Sequence, residues 1–343
     1  MIKIKDKDIF ENKILAISMA FLVLIVNCAA ISSAGEVSEG EVKSSSSATI
    51  YVPDGYSTIQ AAVNAANAGD TIIVRNGVYT ENIDVKKPHL TIRSENCSKN
   101  CIVQAANSSD NVFEITAYYV NISGFTVTGA TRAYPYYCAG IRVDNADHCN
   151  ISDNFVTNNW DGIYLSSSCN NIFVNNNASN NRYGICLSFS CNNTFLNNSA
   201  NANSYYGVYL YYSSNNTFSD NNASNNGYGI CLGSSNNNTF MNNSANTNKG
   251  DGVYLYYSSN NTFSDNNASN NDDGIWIGYF SNNNTFMNNS ANMNNDDGVY
   301  LYYSSNNTFS NNNASNNEEE GIKLDYSRSN TFSNNNANLN NWH

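Results

Sequence analysis

The 343-residue chain is poor in histidine and in basic residues: it has three histidines, and 16 lysines and arginines stand against 28 aspartates and glutamates. His89, His148 and His343 are too scattered for a zinc or copper cage, and no cysteine pair has zinc-finger spacing with histidine. The first 34 residues hold Lys3, Lys5, Lys7 and Lys13 with Asp6, Asp8 and Glu11, so the remainder keeps 12 basic against 25 acidic side chains. A net charge near −13 excludes nucleic acid as a natural partner. Long apolar runs are scarce as well: after ILAISMAFLVLIV, which begins at Ile14, no second run could span a bilayer. From Gly140 onward leucine is sparse and no stretch has helical apolar spacing, which excludes a leucine-rich horseshoe.

Repetition is what the chain has instead. Gly140, Gly162, Gly184, Gly207, Gly229, Gly252, Gly274, Gly298 and Gly321 each open a unit of 22 to 24 residues. The clearest copies read GVYLYYSSNNTFSDNNASNN from Gly207 and again from Gly252. Their GVYL and NNTF pieces alternate apolar and polar with period two, as half-buried strands do, and Asn, Ser and Gly punctuate them. Each unit therefore reads as one coil of an all-β parallel solenoid.

Counted from the opening glycine, offsets 1, 3, 11 and 16 are the apolar filling, as in Ile230, Leu232, Phe240 and Ala245. Four such side chains cannot offset the entropy of ordering a whole coil, so stability must come from stacking. The asparagines at offsets 9, 14 and 19, such as Asn216, Asn221 and Asn226, are expected to stack in corner columns. Asn238 should then face inward and its neighbour Asn237 water.

Residues 1–34 read as a secretory signal, with a basic start, an apolar run and small residues up to a cleavage point after Ala34. This predicts a secreted or cell-surface protein; an uncleaved membrane anchor is the alternative. Residues 35–47 read as a linker, 48–139 as a capping helix with irregular coils, and 140–343 as regular repeats. Ser57 is placed to cap a short helix whose Ile59, Ala62, Val63 and Ala66 share one face and which Gly69 ends. Such a helix would cover the open strand edge of the first coil. Eight cysteines follow the signal, and Cys169 and Cys191 occupy the same offset of adjacent coils, within disulfide range. Cys97 and Cys101 form a second local candidate pair. The last coil closes at Trp342 and His343 with no cap apparent, which predicts end-to-end self-association, a capping partner, or truncation of a longer parent.

GYSTIQAAVNAANAGDTIIVRNGVYTENI, followed by units such as GIYLSSSCNNIFVNNNASNN, resembles the right-handed parallel β-helix proteins of the pectin-lyase-like superfamily. Within it the similarity is to the NosD-like group of carbohydrate-binding and sugar-hydrolysis proteins found at archaeal surfaces. It covers residues 48–343. The resemblance implies a right-handed, single-stranded parallel β-helix; because the fold hosts lyases, hydrolases, esterases, epimerases and non-catalytic proteins, it does not choose among them. Asp251 with Gly252, then Asp272 and Asp273 with Gly274, are similar to two of the aspartate motifs of pectin-cleaving hydrolases. The partner histidine motif is missing, and Gly321, Ile322 and Lys323 are the nearest approach to the basic one. These aspartates are thus catalytic candidates set against a reading as polar turn residues. A copper-related role by resemblance to the NosD-like group lacks ligands.

Acidic residues gather before the opening glycines: Asp251, Asp272, Asp273, Asp296, Asp297, Glu318, Glu319 and Glu320. Stacked carboxylates suit calcium, with a solvated acidic stripe as the alternative. Aromatic residues gather on the face expected to point outward: Tyr164, Tyr209, Tyr254, Trp276 and Tyr300 at offset 2, and Tyr211, Tyr212, Tyr256, Tyr257, Tyr302 and Tyr303 at offsets 4 and 5. Their faces can stack on sugars while their polar edges bond hydroxyls; pairing across strands is the competing role. Asn-x-Ser/Thr acceptors recur at Asn177, Asn192, Asn215, Asn222, Asn237, Asn260, Asn267 and Asn306. The expectation is a non-catalytic protein that binds polysaccharide or surface glycan. The alternatives are a hydrolase or lyase acting on acidic polysaccharide and a structural envelope scaffold.

Overall fold

The computed structural model describes residues 47–132 and 138–341. The signal and most of the linker read from the sequence, together with Trp342 and His343, lie outside these residues. Among them, no helix is long and apolar enough to cross a membrane.

The described chain winds as a parallel β-solenoid with one helix. Its first sheet has 13 strands, its second 11 and its third, confined to the early coils, four. All recorded pairings in the regular repeats are parallel and in register, so Phe218, Phe240, Phe263, Phe286 and Phe309 align on consecutive strands of the first sheet. Their rings stack 4.7 to 5.0 Å apart from Phe218 to Phe309, the repeat of the backbone itself. Ile230, Leu232, Phe240 and Ala245 are all buried, as period-two alternation requires. Opening glycines are needed because a Cβ at Gly252 would stand 2.5 Å from the Asn271 amide and 2.8 Å from the Gly274 carbonyl.

Corners explain the abundance of asparagine. In the coil from Gly207 the chain turns through left-handed residues at Tyr212, Asn215, Asp220 and Asn225, with φ from 47° to 60°. Asn and Asp tolerate this region better than other side-chain-bearing residues. Each turn leaves backbone groups to satisfy, and buried amides one residue on satisfy them. Asn238 Oδ1 accepts from the Asn216 backbone N–H at 2.9 Å and from its Nδ2 at 3.1 Å, while Asn238 Nδ2 donates to the Ser213 carbonyl at 3.0 Å. Asn237 is exposed. A buried serine column that the sequence reading did not single out works likewise: Ser213 N–H donates to Ser235 Oγ, and Ser213 Oγ to the Tyr211 carbonyl, both at 3.0 Å.

The helix, α1, spans Ile59–Ala65 and buries Ile59, Ala62 and Val63. Its N-cap is Thr58, not Ser57: Thr58 Oγ1 accepts from the Ala61 N–H at 3.1 Å. Glu81 from the coil beneath accepts the Ile59 and Gln60 N–H groups at 2.9 Å each, so the first turn is satisfied from two sides. The helix ends at Ala65 with Ala66 as its C-cap, and Gly69 supplies a left-handed turn only after it. Cys169 and Cys191 are joined by a disulfide across Cα atoms 4.6 Å apart. Cys97 and Cys101 are not joined: Cys101 is buried in the core beneath its strand while Cys97 stands exposed in the preceding turn.

Candidate functional site

The second sheet brings the sequence-predicted side chains together. Its strands Tyr206–Tyr211, Tyr228–Gly233, Val253–Tyr256, Ile275–Gly278 and Val299–Tyr302 lie side by side. On their outer face one register column runs Tyr209, Cys231, Tyr254, Trp276, Tyr300 and Lys323. Its neighbour runs Tyr211, Gly233, Tyr256, Gly278, Tyr302 and Asp325.

In the second column large residues alternate with glycine, and rings lie down over the glycines. Tyr256 reclines over Gly233, where any Cβ would collide with its ring, and its hydroxyl meets that of Tyr209 at 2.9 Å. Trp276 covers Gly278 of its own strand and stacks on Tyr254 of the preceding coil at 4.6 Å. Tyr300 donates from its hydroxyl to Asp325 at 2.9 Å. Tyr164, Tyr209, Tyr254, Tyr256, Trp276, Tyr300 and Tyr302 are consequently half-buried, and Tyr211 is the one at offset 2 or 4 that is exposed. They form a pavement rather than projecting fins. Cys186 and Cys231 are buried beneath it.

The exposed aromatic row lies one corner further on, at offset 5 and, where the coil from Gly274 carries one inserted residue, also at offset 6. Tyr212, Tyr257 and Tyr303 belong to it, and so do Phe189, Tyr279, Phe280 and Tyr326, which the sequence reading passed over. Every one of them is left-handed, with φ between 47° and 64°. Bulky residues are rarely held there, and each costs on the order of 1 to 3 kcal/mol. Ser167 and Ser234 fill the same corner in two other coils, so the turn does not itself require an aromatic.

Carboxylates border the opposite edge of the pavement. Asp251, Asp273, Asp297 and Glu320 occupy consecutive coils, since the opening glycines of one coil donate to their carbonyls in the next. Asp273 accepts the Asp297 N–H at 2.8 Å, and Asp297 accepts the Glu320 N–H at 3.0 Å, so these side chains help to tie coils together. Burial, then the neighbouring Asp273 charge, pushes Asp251 up to about 8; burial also lifts Asp273 to about 6. Asp161, which precedes Gly162 as Asp251 precedes Gly252 and which the sequence reading missed, is buried and raised to about 8, with Arg142 and Arg182 opposing the shift. Asp272, like Asp273, is half-buried, and Asp296, one position before buried Asp297, is exposed.

Among the described residues, the carboxylates close enough to share an ion are Asp297, Glu319 and Glu320, whose oxygens lie within 4.8 Å of one another. Lys323 reaches all three, at 3.2 Å from Asp297 and 3.5 Å from each glutamate. Burial works against its charge, but the Asp297 hydrogen bond and the surrounding carboxylates outweigh this and raise its pKa. The structure does not gather Asp251, Asp272, Asp273 and Asp296 into that group.

Chemically, the arrangement offers a broad aromatic floor with phenolic edges, bounded by protonatable carboxylates. Solved structures with this winding include the A-module of a mannuronan C-5 epimerase from Azotobacter vinelandii, with a TM-score of 0.66 and 14% identity over 83% of this chain and 91% of that one. The catalytic domain of a family 87 α-1,3-glucanase matches with a TM-score of 0.64 and 16% identity over 89% of this chain and 68% of that one. In sequence the chain is 31% identical over 140 residues to a cell surface glycoprotein of Methanothermus fervidus. That match spans 40% of this chain and about a fifth, 21%, of the glycoprotein. The model of the right handed beta helix region matches residues 106–250, 139–291 and 222–342, overlapping stretches that cover well over half of the sequence, and the chain belongs to that family.

Proposed function

We propose that this chain is an exported cell-surface protein that binds polysaccharide along the aromatic pavement of its second sheet, without cleaving it. The observation that carries this reading is the run of half-exposed rings from Tyr209 through Trp276 to Tyr302, held flat by the glycines and cysteines beneath them. Flat, preorganised rings stack on sugar faces at little entropic cost, and their hydroxyls offer bonds to sugar hydroxyls. The relative in Methanothermus fervidus is a cell surface glycoprotein, and the solved neighbours include a mannuronan epimerase and a glucanase, which is consistent with a surface role involving carbohydrate. The NosD-like and carbohydrate-binding assignment belongs to the same reading.

A second reading, an enzyme acting on acidic polysaccharide, draws on one observation: Asp251 and Asp273 stand on adjacent coils and are held protonatable near neutrality. The two are separated by incubating the purified protein with insoluble and acidic polysaccharides and measuring depletion of protein and release of oligosaccharide together. Depletion without release, lost in Tyr254→Ala and Tyr300→Ala, is expected for a binder. Release that survives in those variants but not in Asp251→Asn would establish the enzyme instead. Parallel arms with calcium and with chelator test whether the carboxylate column takes up that ion, and neither depletion nor release would leave a scaffold.

A further inference from the structure

The exposed aromatic corner and the glycosylation acceptors coincide. Phe189, Tyr212, Tyr257, Phe280 and Tyr303 of that row are each followed three residues later by an exposed asparagine, Asn192, Asn215, Asn260, Asn283 and Asn306. Each of those asparagines begins an Asn-Asn-Thr acceptor. Both positions are left-handed corners of one turn, Tyr257 at φ 51° and Asn260 at 59°, with buried Ser258 between them. One shallow groove of about 750 Å³ is lined by Phe280, Tyr303 and Tyr326 together with Asn306. Other acceptors lack this company. Asn197, Asn242 and Asn288 spend their amides on the preceding coil, donating to Asn175, Asp220 and Asp265.

We infer that the offset-8 asparagines are N-glycosylated and that the first sugars of each glycan fold back onto the aromatic ring three residues before. In the modification, Asn Nδ2 forms a bond to the anomeric carbon of a lipid-linked oligosaccharide. The bond from that carbon to the lipid phosphate oxygen breaks, the lipid phosphate leaves with the electron pair, and the amide loses one proton to solvent. The apolar ring then has a covalently tethered occupant, which accounts for five of the six coils holding a bulky residue in a strained corner where Ser234 shows that a small one suffices; the sixth, Tyr326, precedes Ser329 and has no acceptor. The inference requires that the chain enter a glycosylating compartment and does not depend on the pavement binding any polysaccharide.

The full chain, routed through the secretory pathway of an N-glycosylating cell, provides the test. Mass spectrometry of peptides is expected to find glycan on Asn215, Asn260 and Asn306, and on Asn237, whose corner residue is Ser234. An amidase acting on the folded protein should release the Asn260 glycan about two- to tenfold more slowly than the Asn237 glycan, the range a stacked ring supplies. Tyr257→Ser, a substitution the Ser234 coil already accommodates, should bring Asn260 to the Asn237 rate, and Ser234→Tyr should slow Asn237. Thr262→Val removes the Asn260 acceptor while keeping a strand-forming residue and identifies its peptide. Glycan confined to Asn222 and Asn267, or release rates indifferent to both exchanges, would overturn the inference.

Discussion

Asp251 is a carboxyl group held in a place that favours its neutral form. Its folded pKa, raised to about 8 by burial and by Asp273, lies well above the value of an unfolded aspartate near 4. A group shifted in this direction binds its proton more tightly in the native state, so its favourable contribution is complete below the unfolded pKa and is lost as pH rises through the folded one. The melting temperature is therefore expected to fall between pH 5 and pH 8, and Asp251→Asn, neutral throughout, should flatten that slope and raise the value at pH 8. A thermal scan across pH decides it. The amide columns give a second test at this scale. Asn238→Ala removes the acceptor for two Asn216 donors and a donor to Ser213, leaving buried groups unpaired at about 1 to 3 kcal/mol each. Asn237→Ala costs only the left-handed preference, about 1 kcal/mol. Chemical denaturation of the pair should show at least a twofold difference in destabilisation.

Strands and turns were legible to different degrees. The columns at offsets 1, 3, 11 and 16 could be placed from the repeat because period-two alternation is a local property, and Ile230, Leu232, Phe240 and Ala245 are buried accordingly. What rings do on the outer face depends on the coil above, and a single unit does not show it. Tyr256 lies flat because Gly233 sits one strand away and Tyr209 two, a relation visible only once register is known. Tyr212, Tyr257 and Tyr303 of the offset-5 row were read as outward, but the full row with Phe189, Tyr279, Phe280 and Tyr326 was not: an aromatic in a left-handed corner runs against its own backbone preference, so alternation gives no warning of it. Thr58 caps in place of Ser57 because helix ends shift by a residue or so with the packing beneath, here Glu81. Gly233→Ala is expected to lift Tyr256 off the sheet, break its bond to Tyr209 and destabilise the protein by about 1 to 3 kcal/mol. A changed near-ultraviolet circular dichroism spectrum with unaltered far-ultraviolet signal is the expected signature.

For the solenoid taken whole, the first coil matters more than its size implies. The helix Ile59–Ala65 covers an edge that in all later coils is covered by a strand, so loss of it exposes unpaired backbone and the apolar filling together. Ile59→Asp with Val63→Asp should increase self-association over that of the unsubstituted chain, read as a steeper rise in light-scattering mass with concentration. A monomeric double variant would show that the helix is dispensable. The coils further along carry a different implication. Big and small residues alternate in the column Tyr211, Gly233, Tyr256, Gly278 and Tyr302, so a coil with a ring there fits a neighbour with glycine, as Tyr256 fits over Gly233, and the copies from Gly207 and Gly252 share one sequence of twenty residues. Recombination between those copies would remove or add two coils at a stroke and rejoin compatible faces, whereas a one-coil slip would set ring against ring. Length in this protein is thus heritable in steps of two coils, and related strains should carry genes whose repeat numbers differ by even counts.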